Sequence, residues 1–527
     1  MHIDNYKFSD VSFFSKLVSD YTNHRLPDSI RTPYPLAQEG LEQLINTPYP
    51  LKIDRNQLVK VITDQYKTID ISEVVKTQID SLQDENTFCI ITAHQLSLLG
   101  GPLYYVIKIA NAIALAKKLN ADFPEKNFVP IYWMGSEDHD FEEVNHIYLF
   151  GKKITWESDQ TGPVGHFALN EIQEVVDQVV QILGDSNPDD IQGLIKRAYS
   201  HKNVEQATRE LVNGLFGRYG LVIVNGDDHA FKESVSDIIK NEVLYQASYP
   251  LLLEKSEKLI SSGYHAQATG REINLFHLGD TFRHRIAPHG EDYEINGRIW
   301  SKEELLNEIN SSPENFSPNV ILRPLFQQSV LPSIAYIGGG AEVAYWMQLT
   351  SVFEYYGVQY PVLIPRTSML WVNHSVAQKM QKLDLQITDI FKDKEAVKKE
   401  YILKNSDFDS DLSKEREAIQ DWMEKVRDKA ALVDSTLGPS VGADAQKIQN
   451  TLNQIEGKIL RSIKHQHDTS LKQIDSIYQS LFPNHALQER HDNFLNIYSK
   501  HGQKFLDNLI DHLQVIDQEF VVMTEME

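Results

Sequence analysis

The chain has 527 residues, more than one hydrophobic core normally serves, so we expect about two to four structural units. Its formal net charge of −23 would repel a phosphate backbone or an anionic membrane surface, which argues against nucleic acid and membrane as partners. The single cysteine, Cys89, excludes a disulfide framework and a thiolate zinc site, and we expect it in the core. No signal-peptide pattern and no bilayer-length apolar segment is present, so the sequence predicts a cytoplasmic protein.

The first part of the chain predicts the beginning of a parallel sheet. Residues 1–85 are typical of short helices separated by proline turns. Residues 88–91 form a short, β-branched apolar run, as expected of a strand that is covered on both faces. A helical pattern over residues 104–118 and a second apolar run at 128–134 follow. Strand, helix and strand in this order indicate an α/β fold with parallel strands.

Polar residues fall where the first predicted strand should end. His94 and Gln95 follow the apolar run, and Gly100 and Gly101 then permit a tight turn before the helix. Ligands of open α/β sheets bind at the carboxyl ends of the strands. We therefore expect His94 and Gln95 to face a functional site.

The middle of the chain predicts two insertions and more strands of the sheet. An insertion at about 147–216 combines a polar hairpin with helices, and one at about 261–317 is rich in β-strands. Further apolar runs predict strands at residues 220–224, 320–322, 334–337 and 361–364.

Residues 372–481 predict an antiparallel helical hairpin, because apolar residues repeat at spacings of three, four and seven. The seam of the first arm consists of Phe408, Leu412, Ile419, Trp422, Val426, Val433 and Leu437. The seam of the second arm consists of Ile448, Leu452, Ile455, Ile459, Ile463, Leu471, Ile474, Tyr478 and Leu481. Gly438, Pro439 and Gly442 predict the turn between the arms, and residues 482–527 predict helices that return to the core. A projecting arm with apolar residues left over, such as Trp422 and Tyr478, suits a homodimer.

The second predicted strand is followed by a segment that is dense in acids and histidines. This segment contains Glu137, Asp138, His139, Asp140, Glu142, Glu143, Asn145 and His146. Such groups could hold a divalent metal, or supply a general acid or base. Acids at a helix N-terminus would also complement the helix dipole, but that explanation does not require the histidines.

Two further strand ends carry candidate ligand-binding groups. Gly338 and Gly339 would let a ligand approach backbone N–H groups, although glycines serve simple turns equally well. Arg366 and Arg323 each follow a predicted strand and suit a phosphate or carboxylate, or else a surface ion pair. The basic patch in the second insertion is interpreted as the solvated face of a hairpin; it consists of Arg283, His284, Arg285 and His289.

With these residues laid out, the chain resembles the BshC family, the cysteine ligases of bacillithiol biosynthesis. The matching segments are residues 92–95, 100–104, 130–133, 137–141, 335–339, 341–346, 365–366 and 487–490. The resemblance implies an α/β fold with a Rossmann-like parallel-sheet core, connecting insertions and an antiparallel coiled-coil hairpin, similar in plan to class I aminoacyl-tRNA synthetases. We accordingly divide the chain into a core at 1–371, a coiled-coil arm at 372–481 and C-terminal helices at 482–527.

The resemblance also implies an activity, which is the last step of the pathway. The carboxyl group of cysteine would be joined to the amine of glucosaminyl-malate to give bacillithiol, with ATP or another adenine nucleotide as a candidate cofactor and the question of a metal open. The expected catalytic residues are His94, Gln95, Glu137, Asp138, His139 and Asp140. The expected substrate- or nucleotide-binding residues are Gly100, Gly101, Tyr104, Asn145, His146, Arg323, Tyr336, Gly338, Gly339, Glu342, Tyr345, Trp346, Arg366 and Arg490.

Two other functions fit the sequence patterns. One is a metal-dependent hydrolase built on residues 137–140. The other is an interaction protein that uses the coiled coil for binding and the Rossmann-like core only to sense a nucleotide.

Overall fold

A computed structural model describes the chain except for residues 12, 406–411, 514, 517–518 and 527, and except for the side chains of residues 460 and 463–464. The described residues divide into two compact units. The first, which we call the core unit, comprises Ile3–Leu370 and Leu487–Val522. The second, which we call the arm unit, comprises Met1–His2, Trp371–Ala486 and Met523–Glu527.

The strands are numbered in chain order. They are β1 (His2–Tyr6), β2 (Thr87–Gln95), β3 (Asn127–Gly135), β4 (His146–Leu149), β5 (Lys152–Thr155), β6 (Val222–Asn225), β7 (Leu275–Gly279), β8 (Phe282–His289), β9 (Asp292–Ile295), β10 (Arg298–Trp300), β11 (Phe316–Pro318), β12 (Ser333–Gly338), β13 (Val362–Pro365), β14 (Ser368–Val372) and β15 (Phe520–Thr524).

The α-helices are numbered in the same way. Those before residue 371 are α1 (Lys16–Thr22), α2 (Gln38–Ile45), α3 (Arg55–Gln65), α4 (Glu73–Ser81), α5 (Tyr104–Asp122), α6 (Phe141–Val144), α7 (Gln173–Leu183), α8 (Ile191–Ala198), α9 (Val204–Phe216), α10 (His229–Ser234), α11 (Ser236–Tyr245), α12 (Ser248–Ser261), α13 (Lys302–Ser311), α14 (Arg323–Val330), α15 (Gly340–Met347) and α16 (Thr350–Tyr356). Those after it are α17 (His374–Lys382), α18 (Ile387–Ile390), α19 (Lys394–Asn405), α20 (Ser413–Val433), α21 (Leu437–Gln466), α22 (Asp468–Leu481), α23 (Leu495–His501) and α24 (Gln503–His512).

The centre of the core unit is a parallel sheet with the strand order β13-β12-β2-β3-β6. β2 and β3 pair along their whole length, from Thr87 opposite Asn127 to Gln95 opposite Gly135. The first seven residues of β2 are buried, because α5 packs against both β2 and β3. Cys89 is one of them, as predicted. The predicted α/β class is confirmed, and so are the strands expected at 88–91, 128–134, 220–224, 334–337 and 361–364.

The two predicted insertions also have the expected content. Residues 147–216 contain the hairpin β4-β5 and helices α7, α8 and α9. The second insertion forms an antiparallel sheet with the order β10-β9-β8-β7-β11.

The strand predicted at residues 320–322 is wrong. These residues form a turn that leads into α14, so Arg323 is the first residue of a helix and does not follow a strand. The Asn319 side chain accepts a hydrogen bond from the Ile321 N–H at 2.9 Å, and its carbonyl accepts one from the Arg323 N–H at 2.9 Å. Asparagine favours this turn geometry, and three consecutive apolar residues do not distinguish a turn from a strand. Ile321 and Leu322 are buried, whereas Val320 is exposed.

Three strands were not predicted. β1, β15 and β14 form a third sheet, with β15 in the middle. The expected C-terminal helices are present as α23 and α24, and β15 follows them in the chain. β14 begins only three residues after β13 ends, so the sequence there reads as one broken strand.

The antiparallel hairpin of the arm unit is formed by α20 and α21. The turn predicted at Gly438, Pro439 and Gly442 is wrong, because α21 already begins at Leu437. The turn lies at residues 434–436, where the Asp434 side chain accepts hydrogen bonds from the Thr436 N–H at 2.8 Å and hydroxyl at 2.7 Å. Pro439 falls in the first turn of α21, where a proline lacks no hydrogen bond that the helix needs.

The predicted seam of α20 and α21 includes four residues that are exposed in the structure, namely Trp422, Val433, Leu437 and Ile455. Trp422 is 59% exposed, whereas its neighbour Met423 is 7% exposed and faces α21. Ile455 is exposed, and Glu456 takes the inward position, where it pairs with Arg416 at 2.8 Å. Apolar side chains alone therefore did not define the buried face. Phe408 lies outside the described residues, as does the side chain of Ile463.

Among the described residues, the structure contains no helix that is both long enough and apolar enough to cross a membrane.

Candidate functional site

The order of the central sheet reverses at β2, with β3 and β6 on one side and β12 and β13 on the other. In open α/β sheets, the crevice outside the carboxyl ends of the two strands at such a reversal is the usual ligand site. These strands are β2, which ends in His94 and Gln95, and β12, which ends in Gly338. The residues predicted from the two strand ends are thus brought together in the crevice.

The turn after β2 depends on glycine. Gly100 has φ of 74° and Gly101 has φ of 59°, values that other residues rarely adopt. A Cβ atom at Gly101 would lie 2.7 Å from the Cβ atom of Ser97. The turn is therefore both conformationally and sterically restricted, and it fixes the direction in which α5 leaves β2.

A segment close to the C-terminus, residues 488–493, lies over this turn. The Asn493 amide donates hydrogen bonds to the carbonyl oxygens of Leu99 at 3.0 Å and Gly101 at 2.6 Å. The Leu103 N–H donates to the Asp492 carbonyl at 2.7 Å. The site thus includes residues that are about 390 positions away in sequence from the strand they adjoin.

Arg366, predicted to bind an anion, lies at the end of β13 in a buried ion pair with Glu489. Its two terminal nitrogens donate to the two carboxylate oxygens at 2.9 and 2.7 Å. Glu489 also accepts hydrogen bonds from the Ser368 hydroxyl at 3.1 Å and the Met369 N–H at 2.9 Å. The Arg366 guanidinium lies 5.1 Å from the centre of the Tyr104 ring. We call Arg366 and Glu489, with Ser368, the closed cluster.

His94 holds the hydroxyl of Tyr104. Its Nδ1 lies 3.1 Å from the Gln95 carbonyl oxygen, which can only accept, so Nδ1 carries the proton. Nε2 then accepts from the Tyr104 hydroxyl at 3.1 Å. Burial, with the nearby charge of Lys108, lowers the pKa of His94 to about 4, so the imidazole is neutral at pH 7.

Behind His94, a buried lysine connects β2 to the start of α15. Lys108 donates to the carbonyl oxygen of Ala93 and, at 2.6 Å, to Glu342. Glu342 also accepts from the Tyr336 hydroxyl at 2.6 Å and from the Gly339 N–H at 3.1 Å. Burial opposes ionisation of Glu342, but Lys108 prevails and the pKa of Glu342 is lowered. The N–H that Gly339 was predicted to offer a ligand is therefore already bonded.

Three other predicted binding residues line up behind this group. Arg323 donates to the Tyr345 hydroxyl at 3.1 Å, and its guanidinium lies 5.9 Å from the centre of the Tyr336 ring. Trp346 is fully buried and stacks on Tyr336 with ring centres 4.2 Å apart. These side chains support Tyr336 from the interior of the unit.

On the other side of β2, the Gln95 side chain reaches the end of β3. Its amide nitrogen donates to Asp138 at 2.8 Å and to Glu143 at 3.1 Å. Burial works against the charge of Asp138, but its contacts with His139, Gln95 and Arg283 hold its pKa well below its usual range. Asp138 is therefore an anion at every working pH.

Arg283 was interpreted as part of a solvated hairpin face, and this is wrong. Its side chain is buried and donates to the Ser317 hydroxyl at 3.1 Å and to the Pro318 carbonyl at 2.9 Å. It also donates to Nδ1 of His139 at 3.2 Å, and it lies 3.7 Å from Asp138. The second insertion thereby places a cation beside the acidic segment.

Glu137 contacts a second buried lysine. Lys232, on α10, donates to Glu137 at 2.5 Å and lies 3.4 Å from Asp227 in the loop after β6. Asp227 in turn pairs with His166 at 2.8 Å. We call Glu137, Lys232, Asp227 and His166 the open cluster. Asp140, by contrast, is exposed.

Three predicted residues lie apart from these clusters. Asn145 and His146 contact one another at 3.1 Å on the hairpin β4-β5. The ring of His146 lies near that of Tyr148, which stacks on His491 at 3.8 Å between ring centres. Arg490, beside His491 in sequence, is exposed, and its guanidinium has no hydrogen-bond or ion-pair partner among the described residues.

Sequence patterns missed several residues of the site, namely Lys108, Asp227, Lys232, Arg283, Glu489 and Asn493. Lys108 had a signal, because it is a lysine in the middle of the most apolar helix of the chain. Asp227 had a weaker one, since it follows the end of β6. The others lie on segments with no local pattern that points to this edge of the sheet.

The metal ligands expected at residues 137–140 do not converge. Within the part of the chain that the structure describes, no group of three His, Cys, Asp or Glu side chains is arranged to hold a metal ion. Glu137 is directed at Lys232 and Asp138 at Gln95. The geometry therefore lends no support to the metal-dependent hydrolase.

Comparison with known proteins gives one consistent result. The family model described as "Bacillithiol biosynthesis BshC, N-terminal Rossmann-like domain" matches residues 1–367, and that described as "Bacillithiol biosynthesis BshC, C-terminal coiled-coil domain" matches residues 369–525. The chain is 35% identical to a protein of Flavobacterium psychrophilum, with 99% of each chain covered. It is 35% identical to one of Flavobacterium johnsoniae, with 99% of this chain and 100% of the other covered. It is 34% identical to one of Christiangramia forsetii, with 98% of each covered, and all three are named "Putative cysteine ligase BshC".

Proposed function

Because this chain belongs to the BshC family of bacillithiol biosynthesis, we propose that it is a ligase that forms a C–N bond between cysteine and a second small molecule. The finer proposal is that the cysteine carboxyl group is joined to the amine of glucosaminyl-malate, which completes bacillithiol. We propose that the reaction takes place in the cytoplasm. The coiled-coil arm, residues 372–481, would mediate a homodimer.

One observation carries this proposal. At the reversal of the sheet, Gln95 joins two groups of opposite character, since its carbonyl oxygen contacts His94 and its amide nitrogen contacts Asp138. On the His94 side, Tyr104 and Arg490 offer a hydroxyl and a cation. On the Asp138 side, acidic groups predominate. A cleft of this kind suits two substrates that each carry an amine and a carboxylate.

The acidic side is suited to an ammonium group. Asp138 keeps its charge, because contacts with His139, Gln95 and Arg283 outweigh burial and hold its pKa low. Glu143, which shares the Gln95 amide with it at 3.1 Å, adds a second carboxylate. We assign the ammonium group of cysteine to these two carboxylates, where it would compete with the Gln95 amide for their oxygen atoms.

The basic side is suited to an anion. Arg366 and Lys108 are both buried, and each is already paired with a carboxylate, Arg366 with Glu489 and Lys108 with Glu342. Arg490 is exposed, and within the part of the chain that the structure describes its guanidinium is not paired with a carboxylate. We assign the carboxylates of the malate group or the phosphates of a nucleotide to Arg490.

Amide formation from a carboxylate requires activation, and we propose ATP or another adenine nucleotide as the co-substrate. In a balanced reaction, a carboxylate oxygen of cysteine attacks ATP, and a phosphoanhydride bond breaks with release of pyrophosphate or ADP. The amine nitrogen then forms the C–N bond, the activated oxygen leaves as part of AMP or phosphate, and the amine gives up one proton. Glu137 is our candidate acceptor for that proton. Burial raises its pKa above the usual range for a glutamate even though Lys232 opposes this, and a carboxylate of raised pKa is the better base.

A reconstituted assay tests the activity. Purified protein is incubated with cysteine, glucosaminyl-malate and ATP, each is omitted in turn, and the products are identified by mass spectrometry. We expect the amide only in the complete mixture, together with AMP or ADP. Amide formation without ATP would remove the nucleotide from the proposal, and failure to form the amide under any condition would contradict the ligase assignment.

Sedimentation tests the homodimer separately. A variant in which residues 413–466 are replaced by a short flexible linker removes α20 and α21, which carry the exposed Trp422, Leu432 and Val433. We expect the full chain to sediment as a dimer and the shortened chain as a monomer. If the shortened chain remains dimeric, the interface lies elsewhere.

A further inference from the structure

Lys232 is a buried cation at the carboxyl edge of the central sheet. Its side chain is 2% exposed, and its Nζ donates to Glu137 at 2.5 Å and to the Phe316 carbonyl at 2.8 Å. Nζ also lies 3.4 Å from an oxygen of Asp227. A buried ammonium ion is stable only where carboxylates compensate its charge, and here two of them share it.

The second of these carboxylates has a partner of its own. Asp227 contacts Nε2 of His166 at 2.8 Å. The loop that carries His166 is attached to the end of β3, because the Gly165 N–H donates to the Ser136 carbonyl at 2.9 Å. A Cβ atom at Gly165 would lie 2.7 Å from that of Ser136, so glycine permits this approach. Separate segments therefore converge to make the array.

We propose that Lys232 is a positioning residue of the ligase reaction, which holds Glu137 as a carboxylate beside the end of β3, while Asp227, which itself pairs with His166, limits that effect by sharing the same ammonium group. This inference rests on the proposed function in one respect, namely that Glu137 accepts the proton of the attacking amine. The contacts between the four side chains are independent of it.

The charges around Glu137 determine the sign of each expected effect. Lys232 and Arg283 face it as cations, and Asp227 faces it as an anion. Arg283 also faces Asp138 and Asp140, and beyond Asp227 the imidazole of His166 faces Asp280.

Burial raises the pKa of Glu137 and Lys232 lowers it, so loss of the ammonium group should raise this pKa further. Asp227 raises the pKa of Glu137 by repulsion, so loss of that carboxylate should lower it. The two neutral variants are therefore expected to act in opposite directions. A purely structural ion network has no such requirement, because both variants would reduce stability and neither would move the pH profile of turnover.

The experiment measures the pH dependence of kcat/KM for the full-length wild type, Lys232→Met and Asp227→Asn. We expect the acid limb of the profile to move to higher pH by about one unit or more in Lys232→Met and to lower pH in Asp227→Asn. His201→Gln is the matched control, since His201 also pairs with a carboxylate, that of Glu210 at 3.4 Å, and is not part of the open cluster. Its profile should match the wild type.

Two arms keep the test decisive if a variant fails to fold or the substrates are wrong. Lys232→Arg retains the positive charge and should keep the wild-type limb. Infrared titration follows the protonated carboxyl band that is lost in Glu137→Gln, and it needs no turnover. The proposal would be overturned if the acid limb of kcat/KM and the pH at which the infrared band titrates stayed the same in Lys232→Met and Asp227→Asn. It would also be overturned if both variants shifted them in the same direction. Displaced infrared bands in a protein that forms no amide would contradict only the proposed function.

Discussion

The closed and open clusters lie at the same edge of one sheet, yet they differ in how far hydrogen bonds saturate them. In the closed cluster, Glu489 is 0% exposed and accepts from Arg366, Ser368 and Met369. In the open cluster, Glu137 is 14% exposed, and Lys232 is its only hydrogen-bond donor among the described residues. A saturated carboxylate can only hold its neighbours in place, whereas an unsaturated one still has an oxygen for a ligand or a proton.

This difference separates support from chemistry within a single site. The closed cluster joins residues 488–493 to β13 and places a guanidinium beside Tyr104. The open cluster gathers ionisable groups that respond to one another. We therefore expect changes in the closed cluster to appear first in stability and changes around the open cluster to appear first in turnover.

The largest expected effect is the loss of one partner of the closed cluster. Arg366→Met leaves Glu489 buried without its cation, and we expect a loss of about 3–5 kcal/mol in the free energy of unfolding. Chemical denaturation of the full chain measures it. Arg285→Met is the control, because Arg285 pairs with Glu272 at 3.2 Å on the surface and should cost less than about 1 kcal/mol. If both variants lost the same free energy of unfolding, the number of hydrogen bonds to the carboxylate would not distinguish the buried pair from the surface pair.

The next effect concerns the acidic side of the cleft. Asp138→Asn keeps the shape of the side chain but removes the charge that we assign to the substrate ammonium group. We expect kcat/KM to fall about a hundredfold. Because the lowered pKa of Asp138 means that its charge also stabilises the folded protein, we expect a lower melting temperature without loss of folding. Asp122→Asn, which alters a surface pair with Lys118, should leave kcat/KM unchanged. If Asp138→Asn failed to fold, the role of Asp138 would be to support the structure and not to bind the substrate.

His94 contributes to the pH dependence of stability between pH 7 and pH 5. Its pKa is lowered from 6.5 to about 4, chiefly by burial and then by Lys108. Between these values the unfolded chain binds a proton that the folded protein does not, so acidification favours unfolding. Between pH 7 and pH 5, we expect the free energy of unfolding of the wild type to fall by about 2 kcal/mol more than that of His94→Gln. His265→Gln, at an exposed position, should leave this loss intact.

Much of the central sheet could be predicted, because β2, β3, β6, β12 and β13 are apolar runs of strand length, and polar or glycine residues interrupt the apolar pattern near their ends. The residues that these runs present directly, such as His94 and Asp138, were therefore found. Arg283 and Glu489 could not be found in this way. Each reaches the edge through tertiary contacts with residues more than 100 positions away, and nothing in the neighbouring sequence reports that contact.

The errors in the arm have a different physical cause. Trp422 and Met423 are both apolar and adjacent, so either can continue a spacing of three and four. The choice is made by α21, which places Glu456 opposite Arg416 and thereby fixes the register of the seam. A polar pair that specifies register is invisible to a search for apolar repeats.

The smallest effect we predict concerns the turn at Gly101, which contacts Asn493. A comparison with Gly151 distinguishes the cost of backbone strain from the cost of a steric clash. Gly101 and Gly151 both have positive φ, of 59° and 79°, so alanine is unfavourable at each. At Gly151 a Cβ atom would meet nothing within 4 Å, whereas at Gly101 it would lie 2.7 Å from Cβ of Ser97. We expect Gly101→Ala to be less stable than Gly151→Ala by about 1 kcal/mol, measured by chemical denaturation.

Because the Gly101 carbonyl accepts from Asn493 at 2.6 Å, a shift of this turn should also loosen residues 488–493 and raise KM in Gly101→Ala alone. Equal KM values in the two variants would show that residues 488–493 keep their position without this turn. Their position would then depend on the ion pair between Arg366 and Glu489.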